Sequence, residues 1–196
     1  MAHGAKSEVG QTVNLLLISF GGSNPPSTTI KENTFVEEYT LSLQKVKRYF
    51  EQYGMEDRVM EFDSSSETVE LAAIAIGCEP KQIAKTMSFI VNDEPVLVVM
   101  AGDAKIANPK YKEKFSTKAK MIAFEDVGNL IGHDVGGVCP FAINDGVTVY
   151  LDISLKRFET VFPAAGSGNS AIGLRIDELE KYSNYKEWVD ICKDWE

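Results

Sequence analysis

Seven consecutive residues, Pro95 to Ala101 (PVLVVMA), carry no charged or hydroxyl side chain. Such a run predicts a strand that is covered on both faces, because a half-exposed strand alternates apolar and polar residues. Covering both faces of one strand requires other elements on each side of it. The surrounding sequence supplies alternating helical and strand-like segments, so we expect a mixed α/β domain.

Two helices are predicted before this strand. The first covers residues 35–52 and is expected to end at Gly54. Its apolar residues recur at helical spacing and are Phe35, Tyr39, Leu43, Val46 and Phe50. The second is expected to begin at Ser64 or Ser66 and to end at Gly77. Its predicted buried face consists of Val69, Ala72, Ala73 and Ile76.

Later segments mix both kinds of element. Pro80 is expected to open a short helix that carries Lys85 and gives way near Met87 to a strand. Residues 185–195 are predicted to form a terminal helix. Further strands are predicted at residues 147–151, 159–165 and 171–176.

The charge of the chain limits its partners. A net charge of −9, from 20 Lys and Arg against 29 Asp and Glu, excludes broad coating of nucleic acid, which requires clustered cations. Residues 103–120 have the opposite sign, with six lysines and two acids. A solvated helix face would explain this patch, and it is also the best candidate for docking a nucleic-acid backbone. The lysines assigned to this role are Lys105, Lys110, Lys112 and Lys114.

The chain has few ligands for a metal ion. Its cysteines, Cys78, Cys139 and Cys192, lie far apart, and its histidines are His3 and His133. Their spacing does not fit a zinc site, so we predict neither a metal nor another cofactor. Distant thiols in odd number indicate a reducing compartment, and we predict a cytoplasmic protein.

No apolar run approaches the roughly 18 residues of a membrane-spanning helix, so no membrane partner is predicted. The first 34 residues nevertheless differ from the rest. An apolar octet, Val13 to Phe20, is followed by a turn-rich stretch, Gly21 to Thr29. We interpret residues 1–34 as an N-terminal extension or linker, with a secretory signal as the alternative.

Lys85 is the first candidate for chemistry. It lies where a predicted helix with a small apolar face meets a strand. A lysine there can be half-buried and still present its ammonium group to a cleft, where it could hold a phosphate or a carbonyl that gains negative charge. The alternative is a surface lysine whose aliphatic stem covers the core.

Two glycine-rich loops are the next candidates. The 132–141 loop (GHDVGGVCPF) contains Gly136 and Gly137, which allow a ligand to approach main-chain N–H groups closely. The 164–170 loop (AAGSGNS) offers Ser167, Asn169 and Ser170 as hydrogen-bonding groups. Each loop could instead be a simple connection between elements.

A third possibility is a nucleophile–base pair of Cys139 and His133. The two residues lie six positions apart on the 132–141 loop, and nothing in the sequence fixes a hydrogen bond between them. A cysteine before Pro-Phe is also typical of a small buried residue.

These motifs, in their order along the chain, resemble the YbaK/ProX/EbsC family of aminoacyl-tRNA editing domains. The matching segments are Ser66–Ala73, Gly77–Thr86, Ala101–Asp103, Gly132–Phe141, Val149–Asp152 and Ala165–Gly166. The resemblance implies a single mixed α/β domain over residues 35–184, with a twisted, barrel-like sheet surrounded by helices. Residues 185–196 would then form a C-terminal helix outside it.

The resemblance also implies a function. Members hydrolyse the ester of a mischarged tRNA, typically cysteine or alanine on proline tRNA, without a metal or a protein nucleophile. The expected partners are the acceptor end of an aminoacyl-tRNA and prolyl-tRNA synthetase. Binding to DNA is not expected. We expect this chain to act in trans. A small pocket would admit alanine or cysteine and exclude proline.

The family's lysine matches Lys85, and its G-x-x-x-P loop matches Gly136 to Pro140. We therefore expect Lys85, Gly136 and Gly137 to be catalytic, with main-chain N–H groups polarising the ester carbonyl. The residues expected to bind substrate are Ser66, Thr68, Ser88, Pro140, Phe141, Gly166 and Asn169. Two alternatives remain: a non-catalytic sensor of aminoacyl groups or nucleotides, and a thiol hydrolase that uses Cys139.

Overall fold

The computed structural model describes residues 41–63 and 68–195. The described helices are α1 (residues 41–51), α2 (Val69–Ile76), α3 (Asn108–Phe115), α4 (Phe124–Ile131) and α5 (Ile176–Ser183). The described strands are β1 (Val59–Glu61), β2 (Ile83–Val91), β3 (Glu94–Ala101), β4 (Lys105–Ile106), β5 (Thr148–Asp152), β6 (Thr160–Pro163), β7 (Ser170–Ile172), β8 (Leu174–Arg175), β9 (Glu187–Val189) and β10 (Cys192–Lys193).

A mixed six-stranded sheet, curled into a half-barrel, forms the centre of the molecule. Its strand order is β8-β6-β2-β3-β5-β9. β2 and β3 form an antiparallel hairpin. β6 is parallel to β2, β5 is parallel to β3, and β9 is parallel to β5. Two small antiparallel pairs, β1 with β7 and β10 with β4, lie beside it. The predicted fold class is confirmed.

β3 lies in the middle of this sheet, as its apolar sequence predicts. Residues 97–101 of β3 have no exposed surface. The apolar positions of α1 are buried too: Leu43, Val46 and Phe50 belong to the same core, while Phe35 and Tyr39 lie outside the described residues.

α2 begins later than the sequence suggested. Its N-cap is Thr68, whose hydroxyl accepts a hydrogen bond from the N–H of Leu71 at 3.2 Å. The proposed caps Ser64 and Ser66 lie outside the described residues. The helix ends at Gly77 as predicted, in the left-handed conformation (φ +78°) that glycine adopts without strain.

The helix predicted after Pro80 is wrong. Only one 3₁₀ turn, Pro80–Gln82, is present, and Ile83 already begins β2. β2 pairs with β3 from Ala84 to Val91, so Lys85 stands within a strand. The long ladder to β3 stabilises the extended backbone, and this partner is invisible to local helical spacing.

The terminal helix predicted at residues 185–195 is also wrong. β9 extends the main sheet as a parallel partner of β5, and β10 pairs with β4. Ile191 and Cys192 are fully buried. The C-terminal segment is therefore part of the domain, because it covers an edge of β5 that would otherwise be unpaired.

No helix in the described part of the chain is long and apolar enough to cross a membrane.

We expect Ile191→Ala to lower the free energy of unfolding by about 2–5 kcal/mol, the range for a large-to-small change in a packed core. Chemical denaturation measures this effect. Ile74→Ala is the matched control, since Ile74 is 78% exposed and its truncation should change stability little. Equal effects of the two changes would contradict the burial of the C-terminal segment.

Candidate functional site

The main sheet has an opening beside β2. On that side of β2, β6 pairs only with Ile83 and Ala84. The edge is covered again farther along β2. There the N–H of Ile122 donates to the Ser88 carbonyl at 3.1 Å, and the N–H of Ile90 donates to the main-chain carbonyl of Lys120. Within residues 41–63 and 68–195, no strand pairs with residues 85–87 of β2 on this side. A sheet that splits in this way leaves space for a ligand at the gap.

A cavity of about 500 Å³ lies at this opening. Its walls come from α2, β2, residues 121–127, residues 135–138 and residues 162–171. Most lining side chains are apolar, and Lys85 is the one charged side chain among the described residues that line it. The volume falls within the range of small-molecule sites, and a single cation in apolar walls is suited to bind one anionic or polarised group.

Lys85 is anchored inside the protein. Its Nζ donates a hydrogen bond to the Gly102 carbonyl at 2.9 Å, which leaves the other ammonium protons for the cavity. Burial lowers the pKa of Lys85 from its ordinary value, and the Asp103 carboxylate partly opposes that effect. Lys85 is thus a half-buried cation at the gap, as the sequence hypothesis required.

The Gly102 carbonyl is fixed in place by crowding. A Cβ at Gly102 would lie 2.0 Å from the Pro80 carbonyl oxygen and 2.7 Å from Val69. No other residue fits at this position, so the turn after β3 packs directly on the start of α2 and on the Pro80 turn. The acceptor of Lys85 therefore has little freedom to move.

The 132–141 loop reaches the cavity through Val135, Gly136 and Val138. Gly136 has φ +94°, a conformation that favours glycine. The N–H of Gly137 donates to the Asp134 carbonyl at 3.0 Å, so it is not available to a ligand. Among the described residues, the N–H groups of Gly136 and Val138 donate no main-chain hydrogen bond. The expected main-chain donors therefore shift to residues 136 and 138.

Gly137 has a packing role instead. Its Cβ would lie 2.6 Å from the main chain of Gly166 and Ser167, so the two glycine-rich loops pack backbone against backbone. Gly166 in turn lies against α1, where a Cβ would come within 2.7 Å of the Ser42 carbonyl. These contacts fix the distance between the two glycine-rich loops and α1.

Hydroxyl groups supply most of the other polar lining. Thr68, Ser88, Ser167 and Ser170 line the cavity, and the last two hydroxyls bond each other at 2.8 Å. The hydroxyl of Thr86 is buried at the same opening without a hydrogen-bond partner in the described structure. Sequence analysis did not single out Thr86, because no local pattern shows that the edge of β2 is open at this residue.

Several predicted binding residues lie elsewhere. Phe141 is fully buried and packs on Phe50 with ring centroids 4.9 Å apart, and Pro140 borders a different cavity. Asn169 bonds the Phe62 carbonyl at 3.0 Å and so joins its loop to the end of β1. Together with Gly166, these residues support the site without lining it. Ser66 lies outside the described residues.

His133 and Cys139 meet, but not as a catalytic pair. The Cys139 sulfur lies 3.5 Å from His133 Nε2, and the same nitrogen donates to the Phe141 carbonyl at 2.7 Å. Nε2 therefore carries a proton and cannot act as a base, because a carbonyl oxygen only accepts. Burial keeps the ring neutral, so Nδ1 accepts from the Ser42 hydroxyl at 2.7 Å. Burial raises the pKa of Cys139 to about 12 and lowers that of His133 to about 4.

Three lysines of the 103–120 patch form ion pairs with acids of the C-terminal segment, residues 187–194. Lys110 pairs with Asp190 at 2.7 Å, Lys114 pairs with Glu187 at 2.8 Å, and Lys105 pairs with Asp194 at 3.5 Å. These acids reduce the local positive charge that the sequence alone suggested. None of the four assigned lysines lines the cavity.

No group of three or more His, Cys, Asp or Glu side chains within residues 41–63 and 68–195 could hold a metal ion, and the three cysteines are free thiols.

The sequence is similar to a family of known proteins and to individual proteins of Bacillus species. A profile of the aminoacyl-tRNA editing domain family matches residues 63–182. The chain is 50% identical over 157 residues to an uncharacterized protein, YwhH, of Bacillus subtilis, and the match covers 80% of this chain and all of that protein. It is 24% identical over 147 residues to a proline–tRNA ligase of Bacillus cytotoxicus, covering 74% of this chain and 24% of the ligase.

A solved structure is similar as well. A proposed trans-editing enzyme for prolyl tRNA synthetase superposes with a TM-score of 0.70 at 25% identity, covering 78% of this chain and 97% of that one. The chain therefore spans about a quarter of the matching ligase and nearly the whole of this smaller protein.

The neutral, buried His133 predicts how stability depends on pH. The folded pKa of about 4 lies below the ordinary value of 6.5, so the unfolded chain binds a proton first as the pH falls. We expect the free energy of unfolding to lose about 3 kcal/mol between pH 6.5 and pH 4 from this group. Denaturation at several pH values measures it, and His133→Gln should show a flatter pH dependence. Parallel curves for the two proteins would refute this assignment.

Proposed function

Because the chain belongs to the aminoacyl-tRNA editing domain family, we propose that it is a deacylase that hydrolyses the ester bond between a wrong amino acid and its tRNA. The observation that carries the proposal is the cavity at the opening of the sheet, where one anchored cation and a glycine-rich main chain border the same space. An ester with a nearby nucleotide needs a polarising group and an anion-binding group, and the main-chain N–H groups and Lys85 would take these roles.

The proposed chemistry depends on position. N–H groups of Gly136 and Val138 would donate to the ester carbonyl and stabilise the negative charge that develops on its oxygen. Lys85 would hold the terminal nucleotide or share that charge. A water molecule, assisted by a hydroxyl or thiol of the substrate itself, would attack the carbonyl carbon. The bond from this carbon to the tRNA ribose oxygen would break, and that oxygen would leave with a proton from the water. Gly137 would act through loop packing only.

The substrate is proposed to be cysteinyl- or alanyl-tRNA(Pro). Support comes from the matching proline–tRNA ligases and from the small side chains of the cavity, Ala84, Ala164 and Ala171. At about 500 Å³ the space exceeds one amino acid, so it could also receive the terminal adenosine. Size exclusion of proline would provide the selectivity, because a steric limit discriminates where binding differences are small.

We further propose action in trans, in the cytoplasm, on an aminoacyl-tRNA released by prolyl-tRNA synthetase. The Bacillus subtilis relative is matched over its whole length, without a synthetase around the domain. Contact with the tRNA backbone would use Lys112, and Lys105, Lys110 and Lys114 would contribute positive charge that their acidic partners reduce. Thr68 and Ser88 would contact the substrate within the cavity.

Lys85→Ala is expected to slow deacylation by about 10²-fold or more, the scale for loss of one preorganised stabilising group. The measurement is single-turnover release of free amino acid from the mischarged tRNA. Lys81→Ala is the matched control, since Lys81 lies four residues earlier, is exposed and pairs with Glu79. An unchanged rate in Lys85→Ala would remove this lysine from the mechanism.

Cys139→Ala separates the editing mechanism from a thiol hydrolase in the same assay. The buried thiol and the occupied His133 predict that this variant keeps most of its activity. Loss of all activity, in a variant that remains folded, would instead favour the nucleophilic cysteine.

A panel of misacylated tRNAs tests the substrate. We expect faster release of alanine or cysteine from tRNA(Pro) than of proline from the same tRNA, by about 10-fold or more, as a size limit of a few methylene groups provides. Saturable binding without release of any amino acid would favour the sensor alternative over the deacylase.

A further inference from the structure

Arg157 connects three separate parts of the molecule. Its Nη1 and Nη2 chelate the Asp103 carboxylate at 3.1 and 2.6 Å, and its Nε donates to the Ser154 carbonyl at 2.9 Å. Nη1 also donates to the carbonyl of Trp195, whose ring centroid lies 5.1 Å from the guanidinium carbon. One side chain therefore joins the turn after β3, the segment after β5 and the C-terminal segment.

The turn that Arg157 holds is the one that anchors Lys85. Asp103 directly follows Gly102, whose carbonyl accepts the Lys85 hydrogen bond. Ala101, which precedes Gly102, is fixed as well, because its N–H donates to the Ser154 hydroxyl at 3.1 Å. Arg157 and Ser154 thus clamp both sides of the carbonyl.

The charges that face Lys85 make this clamp important. Asp103 and Glu70 are the acids near its ammonium, Lys105 is the neighbouring cation, and the Cys192 thiol is the remaining titratable group. Of these, Asp103 is one residue from the carbonyl that the ammonium already contacts. A carboxylate so close would be the preferred partner of a half-buried ammonium if it were not engaged elsewhere.

We propose that Arg157 is a positioning residue for Lys85. By chelating Asp103, it keeps this carboxylate from pairing with the Lys85 ammonium, which therefore stays on the neutral Gly102 carbonyl and faces the cavity. The inference rests on the proposed function for its catalytic consequence, but the state of Lys85 can be measured without it. A bidentate guanidinium suits the task, because it saturates both carboxylate oxygens in one fixed geometry.

Removal of the clamp has a definite consequence. In Arg157→Met, the freed Asp103 carboxylate is expected to turn to Lys85 and to form a direct ion pair. This pair raises the pKa of Lys85 and draws its ammonium from the cavity. Misplacement of a reacting group by about 1 Å can cost 10²-fold in rate, so we expect single-turnover deacylation to slow by about 10- to 100-fold.

The second substitution distinguishes positioning from a structural role. Asp103→Asn combined with Arg157→Met removes the Asp103 carboxylate as a partner for Lys85. The rate should therefore return to within about threefold of that of the unaltered protein, and the pKa of Lys85 should fall below its value in Arg157→Met. Asp103→Asn alone should lower the pKa of Lys85, since it removes an opposing acid. The pKa is read by NMR titration of ¹⁵N-labelled lysine, which does not require activity.

Arg58→Met is the matched control. Arg58 also chelates a carboxylate, that of Glu178 at 2.7 and 3.0 Å, and it contacts the Gly173 carbonyl, but neither residue lines the cavity. It should change neither the rate nor the pKa of Lys85.

Two results would overturn the proposal: equal loss of activity in the single and double variants with an unchanged pKa of Lys85, or an unchanged pKa in Asp103→Asn. If Arg157→Met does not fold, Arg157→Lys takes its place in the same comparison, because lysine keeps the positive charge but cannot bind both carboxylate oxygens in one fixed geometry. If the unaltered protein releases no amino acid, the proposed deacylase fails, while the titrations continue to test the clamp.

Discussion

The opening beside β2 is the constraint on which the rest of the site depends. β2 is paired with β3 from Ala84 to Val91, but among the described residues its other edge is covered only near its two ends. Unpaired main chain inside a protein must meet water or a ligand, because a buried polar group without a partner is costly. The cavity with Lys85 occupies this interval of the sheet, so the fold itself determines where a ligand can bind.

Around this opening, close main-chain contacts replace side-chain packing. Gly102 lies against Pro80, Gly137 against Gly166, and Gly166 against α1. A Cβ at each contact would approach backbone atoms within 3.0 Å, and backbone cannot move aside as the end of a flexible side chain can. The glycines therefore keep the walls of the cavity at a fixed separation, which preorganised hydrogen-bond donors require.

The His133 and Cys139 pair illustrates how proximity differs from function. The two side chains are in contact, yet both are buried, and the hydrogen bonds of the ring to Ser42 and Phe141 set its tautomer. The imidazole thereby ties the 132–141 loop to α1 and stabilises the wall of the cavity. The C-terminal segment has a comparable supporting role, because its acids pair with lysines that the sequence suggested for tRNA.

The sequence by itself predicted the mixed α/β class, the buried central strand, the helix end at Gly77, and Lys85 and the 132–141 loop as candidates, because apolar spacing and glycine conformation are local properties. Tertiary structure decided the rest. It turned the segment after Pro80 and residues 187–193 into strands, since a ladder partner far along the chain outweighs local helical preference. It also placed Pro140, Phe141 and Asn169 outside the lining of the cavity and brought Thr86 into it. Which side chains share one space depends on how distant segments pack, and no local pattern encodes that distance.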